Sequence, residues 1–345
     1  MEKIPSAKGK IRREEILRTF EKLCDYASAS DVSAVIIAGD MFDTNRITLK
    51  TQSRVLHTIE NCKGVDFLYL SGNHDDDSFI NSVENLPKNL RIFGTEWTTF
   101  SYGDVKVTGV SFDGYNNSLI YDSLRLNPDD VNIVTLHGQI AGYNSADKSE
   151  IISLPALKGK NIDYLALGHI HYYDKKALDD RGVYCYSGCL DGRGFDELGE
   201  HGFSLIEISG KKIKSEFVKF CSRQFHEFVY DVTDSASFFD ARSEILSGLL
   251  KTCDSSDLIK VVLKGEHDTD FDIDKDALES YFGEHFFFVK VYDKTDLKIN
   301  IDDYAVDKSI RGEFVRAVWA SDLDVKDKKR VIMCGLNALK GEELS

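Results

Sequence analysis

The sequence predicts a layered α/β fold, and three observations support this prediction. Residues 11–29 and 48–61 carry apolar side chains at helical spacing. Each of these stretches leads into a short apolar run bounded by Gly, at residues 34–38 and 67–70. Polar residues of the kind that bind ligands follow directly after the runs. Alternation of helices and buried strands is typical of a layered α/β domain.

The pattern becomes richer in strands farther along the chain. After Gly94 come two short strand-like pieces, and then two more apolar runs that end in polar residues. A stretch rich in Gly and aromatic residues follows, and we expect the domain to close near residues 214–221. The predicted pieces are 97–101, 105–110, 132–136, 164–167 and the Gly-rich stretch 183–208.

The C-terminal part of the sequence predicts a second, smaller domain. Strand and helix patterns alternate there in the order β-α-β-α-β. Beyond residue 301, two amphipathic pieces follow, the second stopped by Gly341. These pieces are too short to form a core by themselves, so we expect them to dock on a partner or on the first domain. The alternating elements are 225–232, 235–250, 258–263, 275–282 and 285–291.

The length of 345 residues is large for one core, because domains of about 100 to 200 residues are usual. We predict three parts, at residues 1–218, 222–295 and 296–345. Hydrophobic residues at 42% and charged residues at 29% are ordinary for a soluble globular protein. No apolar stretch approaches the ~20 residues of a membrane span. The N-terminus lacks a signal-peptide pattern, so we expect a cytoplasmic protein.

Cysteine usage and net charge narrow the choice of function. The seven cysteines form no C-x-x-C pair, which argues against a disulfide framework and for a reducing compartment. We interpret Cys185 and Cys189 as small hydrophobic residues around a turn rather than as a zinc or redox site. The net charge of -15 is unfavourable for holding nucleic acid by broad electrostatic attraction, because phosphate contacts come from Lys and Arg. A basic partner subunit could supply such contacts.

Four short polar fragments at the ends of apolar runs predict a metal site. Strands that end in ligand-type residues can direct those residues to one point beyond their carboxyl edge. Carboxylate and amide oxygens together with imidazole suit divalent transition metals. A single fragment is ordinary turn chemistry, but four in this order rarely occur together by chance. The fragments are Gly39-Asp40, Gly72-Asn73-His74-Asp75, His137-Gly138 and Gly168-His169-Ile170-His171.

These fragments resemble the pattern of the calcineurin-like metallophosphoesterases. The family pattern is Asp-x-His, Gly-Asp-x-x-Asp, Gly-Asn-His-Asp or Glu, His, and Gly-His-x-His, and only the opening Asp-x-His has no counterpart here. We expect that the start is truncated or misassigned, or that the chain is a natural variant with half of a metal site. The resemblance implies a four-layer αββα sandwich lacking its first strand, with a small α+β capping domain and C-terminal helices.

The resemblance also implies a role for each fragment. Asp40 would bridge two metals, while Asn73, His137 and His169 would complete one site. His171 would reach the second metal. Manganese is our first choice of metal by family analogy, and iron or zinc would also suit these ligands.

Three further residues receive supporting roles. His74 is the candidate for proton delivery or charge stabilisation at the phosphate. Asp75 would orient His74, and Asp43 would line the cavity where substrate binds. We interpret the histidines outside the fragments as structural residues, namely His57, His201, His226, His267 and His285.

The missing Asp-x-His bears on how many metals bind. The family holds two metals, but here the second would keep only Asp40 and His171 as protein ligands. We therefore expect about one metal per monomer, and slow or absent turnover.

The loop at residues 186–197 is the next candidate for function. Its glycines permit close backbone approach to a ligand, and Arg193 could contact a phosphate through its fork of donors. A tight connection that closes the sandwich explains the same residues equally well.

The domain order resembles that of bacterial SbcD-type DNA-repair exonuclease subunits. This resemblance implies manganese-dependent nuclease action on DNA ends, a homodimer, and an SMC-like coiled-coil ABC ATPase of the SbcC type as partner. One alternative is a phosphatase or phosphodiesterase that acts on a small molecule or phosphoprotein. Another is a non-catalytic partner subunit.

Overall fold

The computed structural model describes residues 4, 6–42, 47–72, 86–112, 119–141, 151–268, 271 and 273–340. The chain groups into two units, Met1–Gln224 and Phe225–Ser345. The predicted mixed α/β class is confirmed, since both units combine helices with sheets. The finer division into residues 1–218, 222–295 and 296–345 stays a prediction.

A three-stranded parallel sheet begins the first unit. Its strands, in spatial order, are β1 (Ala34–Ala38), β2 (Asp66–Leu70) and β3 (Leu90–Ile92). Helix α1 (Ser6–Ala29) precedes β1, and helix α2 (Leu49–Asn61) precedes β2. Helix α1 begins before the predicted residue 11. The prediction missed this first turn because its residues carry no apolar periodicity.

Helices α1 and α2 cover one face of this sheet. The buried residues Cys24 and Ala27 of α1 and Val55 and Ile59 of α2 recur at helical spacing and share one core cluster. Thr48 caps α2, where its side chain accepts a hydrogen bond from the backbone N–H of Thr51 at 3.2 Å. The apolar stripe fixes both helices on the sheet, and α2 depends on this packing because an isolated helix of 13 residues is marginal in water.

A six-stranded sheet forms the second layer of strands. Its central strands run parallel, and antiparallel strands close both edges in the order β10-β11-β9-β6-β5-β4. Every residue of β6 is buried, as expected for a central parallel strand. The bounds are β4 (Thr98–Tyr102), β5 (Val105–Gly109), β6 (Val131–His137), β9 (Tyr164–Gly168), β10 (Asp174–Ala177) and β11 (Val183–Tyr186).

The alternation of side chains along β2 shows that the two sheets face each other. Leu68 and Leu70 share a core cluster with Ile133 of β6. Phe67 and Tyr69 instead belong to the core beneath α1 and α2. Because successive strand residues face opposite ways, β2 separates an inner core between the sheets from an outer core under the helices.

Two short helices pack on the outer face of the second sheet. They are α3 (Ile120–Ser123) and α4 (Leu154–Leu157). Ile120 and Leu157 share a core cluster with Val134 of β6. The layers of this unit therefore follow the order helix, sheet, sheet, helix. Two small pairs of strands complete the unit, β7 (Gln139–Ile140) with β8 (Ile151–Ile152) and β12 (Gly202–Ser209) with β13 (Lys212–Lys219).

The second unit contains a three-stranded parallel sheet in the order β14-β15-β16, connected by two helices. Ile245, Leu249 and Phe282 from the helices pack with Val261 and Val291 from the strands. This is the predicted β-α-β-α-β order. The elements are β14 (Phe225–Asp231), α5 (Phe238–Thr252), β15 (Leu258–His267), α6 (Lys275–Gly283) and β16 (Phe288–Leu297).

Three helices end the described chain, α7 (Ile301–Ala305), α8 (Ile310–Trp319) and α9 (Val325–Lys340). Leu297, Val315, Ile332 and Leu336 form a small buried cluster of their own. Because Leu297 belongs to β16, α8 and α9 bury their apolar residues together with the sheet of this unit and not by themselves; docking on a partner stays a prediction. Among the described residues, no helix combines the length and apolar character that crossing a bilayer requires.

Candidate metal centre

The carboxyl ends of three strands carry predicted metal ligands. Gly39 and Asp40 follow β1, His137 is the last residue of β6, and His169 follows β9. His137 lies opposite Gly168 in the parallel pair β6–β9, so the two strands end level with each other. Strand β1 lies in the first sheet and β6 and β9 in the second, so the carboxyl edges of the two sheets meet here, and such edges are where open α/β sheets bind ligands.

Asp40, His137 and His169 come together at this edge. Each residue offers one ligand atom, and these atoms all lie within 4.8 Å of one another. Asp40 Oδ2 lies 3.4 Å from His137 Nε2. The rings of His137 and His169 are 5.3 Å apart and nearly perpendicular, at 89°. Three residues that are distant in sequence thus share one place in the fold.

The imidazole of His137 is held in one orientation. Its Nδ1 lies 2.9 Å from the carbonyl oxygen of Ala38 at the end of β1. A carbonyl oxygen only accepts hydrogen bonds, so Nδ1 carries the proton and Nε2 presents its lone pair. The side chain is 1% exposed, which prevents water from replacing this bond. A histidine fixed in this way is ready to bind a cation through Nε2.

The backbone at the site is strained. Asp40 has a φ of 53° and His169 a φ of 91°, both in the left-handed region that favours glycine. Such conformations cost about 1–3 kcal/mol each and persist where the surrounding structure enforces them. They redirect the chain sharply after β1 and β9, which turns both side chains toward His137.

Two glycines allow the close approach of these segments. A Cβ atom on Gly72 would lie 2.5 Å from the backbone nitrogen of Asp40 and 2.8 Å from Cε1 of His137. A Cβ atom on Gly168 would lie only 1.7 Å from the carbonyl oxygen of Ala38. Neither position has room for a side chain, so both require glycine.

The donor set fits a divalent metal ion. One carboxylate and two imidazoles are ligands that manganese, iron and zinc accept. The left-handed backbone and the fixed His137 ring hold these donors in place. Four other predicted site residues lie outside the described residues, and their roles stay predictions. They are Asp43, Asn73, His74 and Asp75.

His171 is not a member of this cluster. Its Nδ1 donates a hydrogen bond to Glu197 Oε1 at 2.7 Å. The His171 side chain is 37% exposed, whereas that of Glu197 is 5% exposed. Carboxylates often orient metal-binding histidines in this manner. The role of His171 at a second metal stays a prediction.

Glu197 also holds Arg193. The Arg193 guanidinium donates to Oε1 through Nη2 at 2.7 Å, and the Arg193 backbone N–H donates to Oε2 at 2.7 Å. Burial alone would raise the pKa of the Glu197 carboxyl, but hydrogen bonds from His171 and Arg193 outweigh burial and lower that pKa to about 2. Glu197 is therefore ionised at neutral pH and acts only as an acceptor.

Arg193 lies beside His171, with Nη2 at 3.1 Å from the ring nitrogen Nδ1. Its side chain is 25% exposed and forms an ion pair with Glu197. This contact agrees with the structural interpretation of the loop and leaves the proposed phosphate contact of Arg193 a prediction.

Cys189 and His201 support the same loop. The Cys189 thiol lies 3.2 Å from His201 Nδ1, and His201 Nε2 donates to the Glu197 carbonyl oxygen at 3.1 Å. Burial raises the pKa of the Cys189 thiol, which therefore stays neutral. Cys185 lies in the core between the two sheets. These contacts agree with structural roles for Cys185, Cys189 and His201.

Sequence reasoning gave no role to Glu197, the last residue of the candidate loop, and missed a buried ion pair formed by Asp191 of the same loop. Arg12 of α1 donates to Asp191 Oδ1 at 2.8 Å and to the Gly192 carbonyl oxygen at 2.7 Å. Glu197 stands four residues after Arg193, a spacing that could have suggested their pairing. No local signal links Arg12 to Asp191, because 179 positions separate them.

The comparison with known families agrees with this geometry. Residues 10–173 match the family described as calcineurin-like phosphoesterase. That range includes Asp40, His137, His169 and His171. The chain therefore contains a calcineurin-like phosphoesterase domain, as the resemblance predicted.

Three curated proteins illustrate the similarity. YhaO of Bacillus subtilis, an uncharacterized metallophosphoesterase, is 24% identical over 73% of this chain and 65% of its own length. The DNA double-strand break repair protein Mre11 of Methanosarcina acetivorans is 24% identical over 60% of this chain and 35% of its own length. Mre11 of Methanopyrus kandleri is 26% identical over 78% of this chain and 64% of its own length. The chain thus matches less than two thirds of each of these relatives.

Proposed function

We propose that this protein is a metal-dependent phosphodiester hydrolase that acts on DNA ends, as an SbcD-type nuclease subunit in DNA repair. The observation that carries the proposal is the convergence of Asp40, His137 and His169 at the carboxyl edge of the strands in a phosphoesterase domain. Relatives named DNA double-strand break repair protein Mre11 support DNA as the substrate.

The three clustered residues hold the cation in this proposal. A divalent cation bound there supplies positive charge to the non-bridging oxygens of the phosphate. Asp40 contributes a carboxylate oxygen, and His137 contributes Nε2, because its Nδ1 is bound to the Ala38 carbonyl oxygen. Asn73 completes this set, and His171 serves a second cation.

The remaining residues act on the substrate. His74 delivers a proton or stabilises charge at the phosphate, and Asp75 orients it. Asp43 lines the cavity, and Arg193 contacts a phosphate beside His171. The guanidinium fork of Arg193 suits phosphate, although its ion pair with Glu197 commits part of that fork.

Manganese is the proposed metal, at about one ion per monomer. Asp40, His137 and His169 support one metal site, whereas His171 is tied to Glu197 apart from the cluster. Elemental analysis after dialysis against manganese should therefore find about one equivalent. Two tightly held equivalents would contradict this stoichiometry.

The partners of the proposed nuclease are a coiled-coil ABC ATPase of the SbcC type and a second copy of the chain. The net charge of -15 supports a partner that supplies basic contacts to DNA. We place the protein in the cytoplasm as part of the same proposal.

A nuclease assay tests the proposed function. Two proteins are tested: the chain as given, and a form extended at its N-terminus by any strand encoded upstream in the same reading frame. Each is incubated with manganese and end-labelled double- and single-stranded DNA. We expect slow or no cleavage by the chain alone, and we expect His137→Ala to remove whatever cleavage the extended form shows. His57→Ala is the matched control, since His57 lies on α2 and contacts Asn61. Hydrolysis of phosphomonoesters without any DNA cleavage would favour the small-molecule phosphatase, and no hydrolysis at all would favour the non-catalytic subunit.

A further inference from the structure

The segment after β11 contains a buried carboxylate, Glu197, that the family motifs leave without a role. Its Oε1 accepts hydrogen bonds from His171 Nδ1 and Arg193 Nη2, both at 2.7 Å. Its Oε2 accepts from the backbone N–H of Arg193 at 2.7 Å. Charge-assisted hydrogen bonds of this length are strong, and several together hold both the carboxylate and its donors in place.

We propose that Glu197 is a positioning residue of the phosphoesterase site and acts through His171 and Arg193. The inference rests on the proposed function and extends it to a residue outside the motifs. Because His171 Nδ1 donates to Glu197, Nε2 is the ring nitrogen left to bind a cation. The same carboxylate oxygen receives Arg193, so the imidazole and the guanidinium keep a fixed separation of 3.1 Å between Nδ1 and Nη2.

The support behind Glu197 is itself buried. His201 Nε2 donates to the Glu197 carbonyl oxygen at 3.1 Å, and His201 is 2% exposed. Earlier in the same segment, Asp191 accepts hydrogen bonds from Arg12 at 2.8 Å and Thr19 at 2.9 Å. A residue can position its neighbours only if it cannot move itself, and these contacts meet that condition.

Only a carboxylate can accept all of these hydrogen bonds. Both oxygens of Glu197 face N–H donors, which are the side chains of His171 and Arg193 on one side and the Arg193 backbone on the other. A glutamine has one oxygen and one NH2 group, so it would set a donor against a donor on one side. Glu197→Gln therefore removes the hydrogen bonds on one side of the carboxylate, while the size of the side chain stays almost the same.

The first experiment measures the tautomer of His171 without metal. The full chain is labelled with ¹⁵N at histidine, and the ring nitrogens are assigned with His171→Gln. We expect wild-type His171 to carry its proton on Nδ1, and Glu197→Gln to populate both tautomers. Glu200→Gln is the matched control, because Glu200 lies in the same segment but is 58% exposed and pairs with Lys219.

Wild-type His171 with its proton on Nε2 would overturn the proposal. So would a Glu197→Gln spectrum identical to that of the wild type. The wild-type spectrum decides the question alone if Glu197→Gln does not fold, which a thermal unfolding curve reveals.

The second experiment measures manganese binding by electron paramagnetic resonance. We expect Glu197→Gln to retain the ion at Asp40, His137 and His169. Any weaker additional ion should lose about 10- to 100-fold in affinity, as is typical when the carboxylate behind a histidine ligand is removed. An additional ion that binds equally to wild type and variant would refute the proposal. If the wild type binds only one ion, the His171 tautomer from the first experiment decides whether the proposal holds.

The two proposals can fail separately. A wild-type chain that cleaves no DNA but shows the expected His171 tautomer would remove the proposed function and leave the role of Glu197 standing. A chain that cleaves DNA equally well with Gln at position 197, with unchanged His171 tautomer, would remove the role of Glu197 alone.

Discussion

Asp40 and His169 adopt left-handed backbone conformations, and Gly168 occupies a position where a Cβ atom has no room. Ala38 contributes only its backbone carbonyl, which accepts the hydrogen bond from His137. Single residues at this site thus act through backbone geometry as well as through side-chain chemistry. Strain of this kind is found where the surrounding fold holds a functional arrangement.

Gly168→Ala should destabilise the protein and disperse the metal centre. The new Cβ atom would lie 1.7 Å from the Ala38 carbonyl oxygen and 2.9 Å from His137 Nδ1, so the ends of β1, β6 and β9 must separate. We expect a loss of at least about 2 kcal/mol in the free energy of unfolding, measured in urea. Gly94→Ala is the control, since no atom of the described residues lies within 4 Å of its added Cβ atom. Equal stability of both variants would contradict this prediction.

The three residues that converge at the strand ends could be predicted from the sequence, while the contact between Glu197 and His171 could not. Asp40, His137 and His169 each follow or end a short apolar run, and this local pattern is visible in the sequence itself. Glu197 contacts His171, 26 positions away, only because the fold brings the two segments together. Tertiary contacts of this kind leave no periodic signal.

At the scale of elements, α1 is joined to the loop after β11 by a buried ion pair. Arg12 and Asp191 are 4% and 1% exposed at their side chains. Arg12→Met should leave Asp191 buried without its cation and cost about 3–5 kcal/mol of stability. Arg13→Met is the matched control, because Arg13 is the next residue of α1 and is exposed. Chemical denaturation measures the free energy of unfolding of both variants. A difference between them below about 1 kcal/mol would show that the buried ion pair contributes little to stability.

Glu15 of the same helix should make stability depend on pH. Burial tends to raise the pKa of its carboxyl, but hydrogen bonds from Arg223 and Arg12 outweigh burial and lower the pKa below its usual 4.5. The ionised form is therefore favoured in the folded state, and its contribution is lost as the pH falls below 4.5.

Comparison of Glu15→Gln with wild type isolates this contribution. The difference in unfolding free energy should be constant between about pH 6 and 8 and should shrink in more acidic solution. Urea titrations at a series of pH values measure it. A difference that grows on acidification would show that folding does not lower the pKa of the Glu15 carboxyl, contrary to this prediction.

Secondary structure was predicted best where the elements are buried. The strand predicted at 164–167 is observed at Tyr164–Gly168, because its apolar residues face cores on both sides. Strand β10 (Asp174–Ala177) was missed, because it is a partly exposed edge strand of polar residues. Strand β16 extends to Leu297, beyond the predicted residue 291, since its last polar residues are held by pairing with β15. Edge pairing depends on the neighbouring strand and not on local composition.

At the scale of the whole molecule, the unit Phe225–Ser345 contains its own buried core. We expect residues 225–345, produced alone, to unfold cooperatively on heating. Leu249→Ala should lower the stability of this fragment by about 2–5 kcal/mol, because Leu249 is fully buried, at 0% exposure. Leu250→Ala is the matched control, because Leu250 is the next residue of α5 and its side chain is 55% exposed. A fragment without cooperative unfolding would show that the second unit requires the first.

The hydrogen bond between His137 and the Ala38 carbonyl oxygen ties two strand ends together with no cation involved. Treatment with EDTA should therefore leave a natively folded apoprotein, unlike small zinc domains, which unfold when their ion is withdrawn. Circular dichroism should show an unchanged spectrum after chelation, and readdition of manganese should raise the melting temperature. Loss of secondary structure in EDTA would mean that the ion, and not the polypeptide, builds the centre.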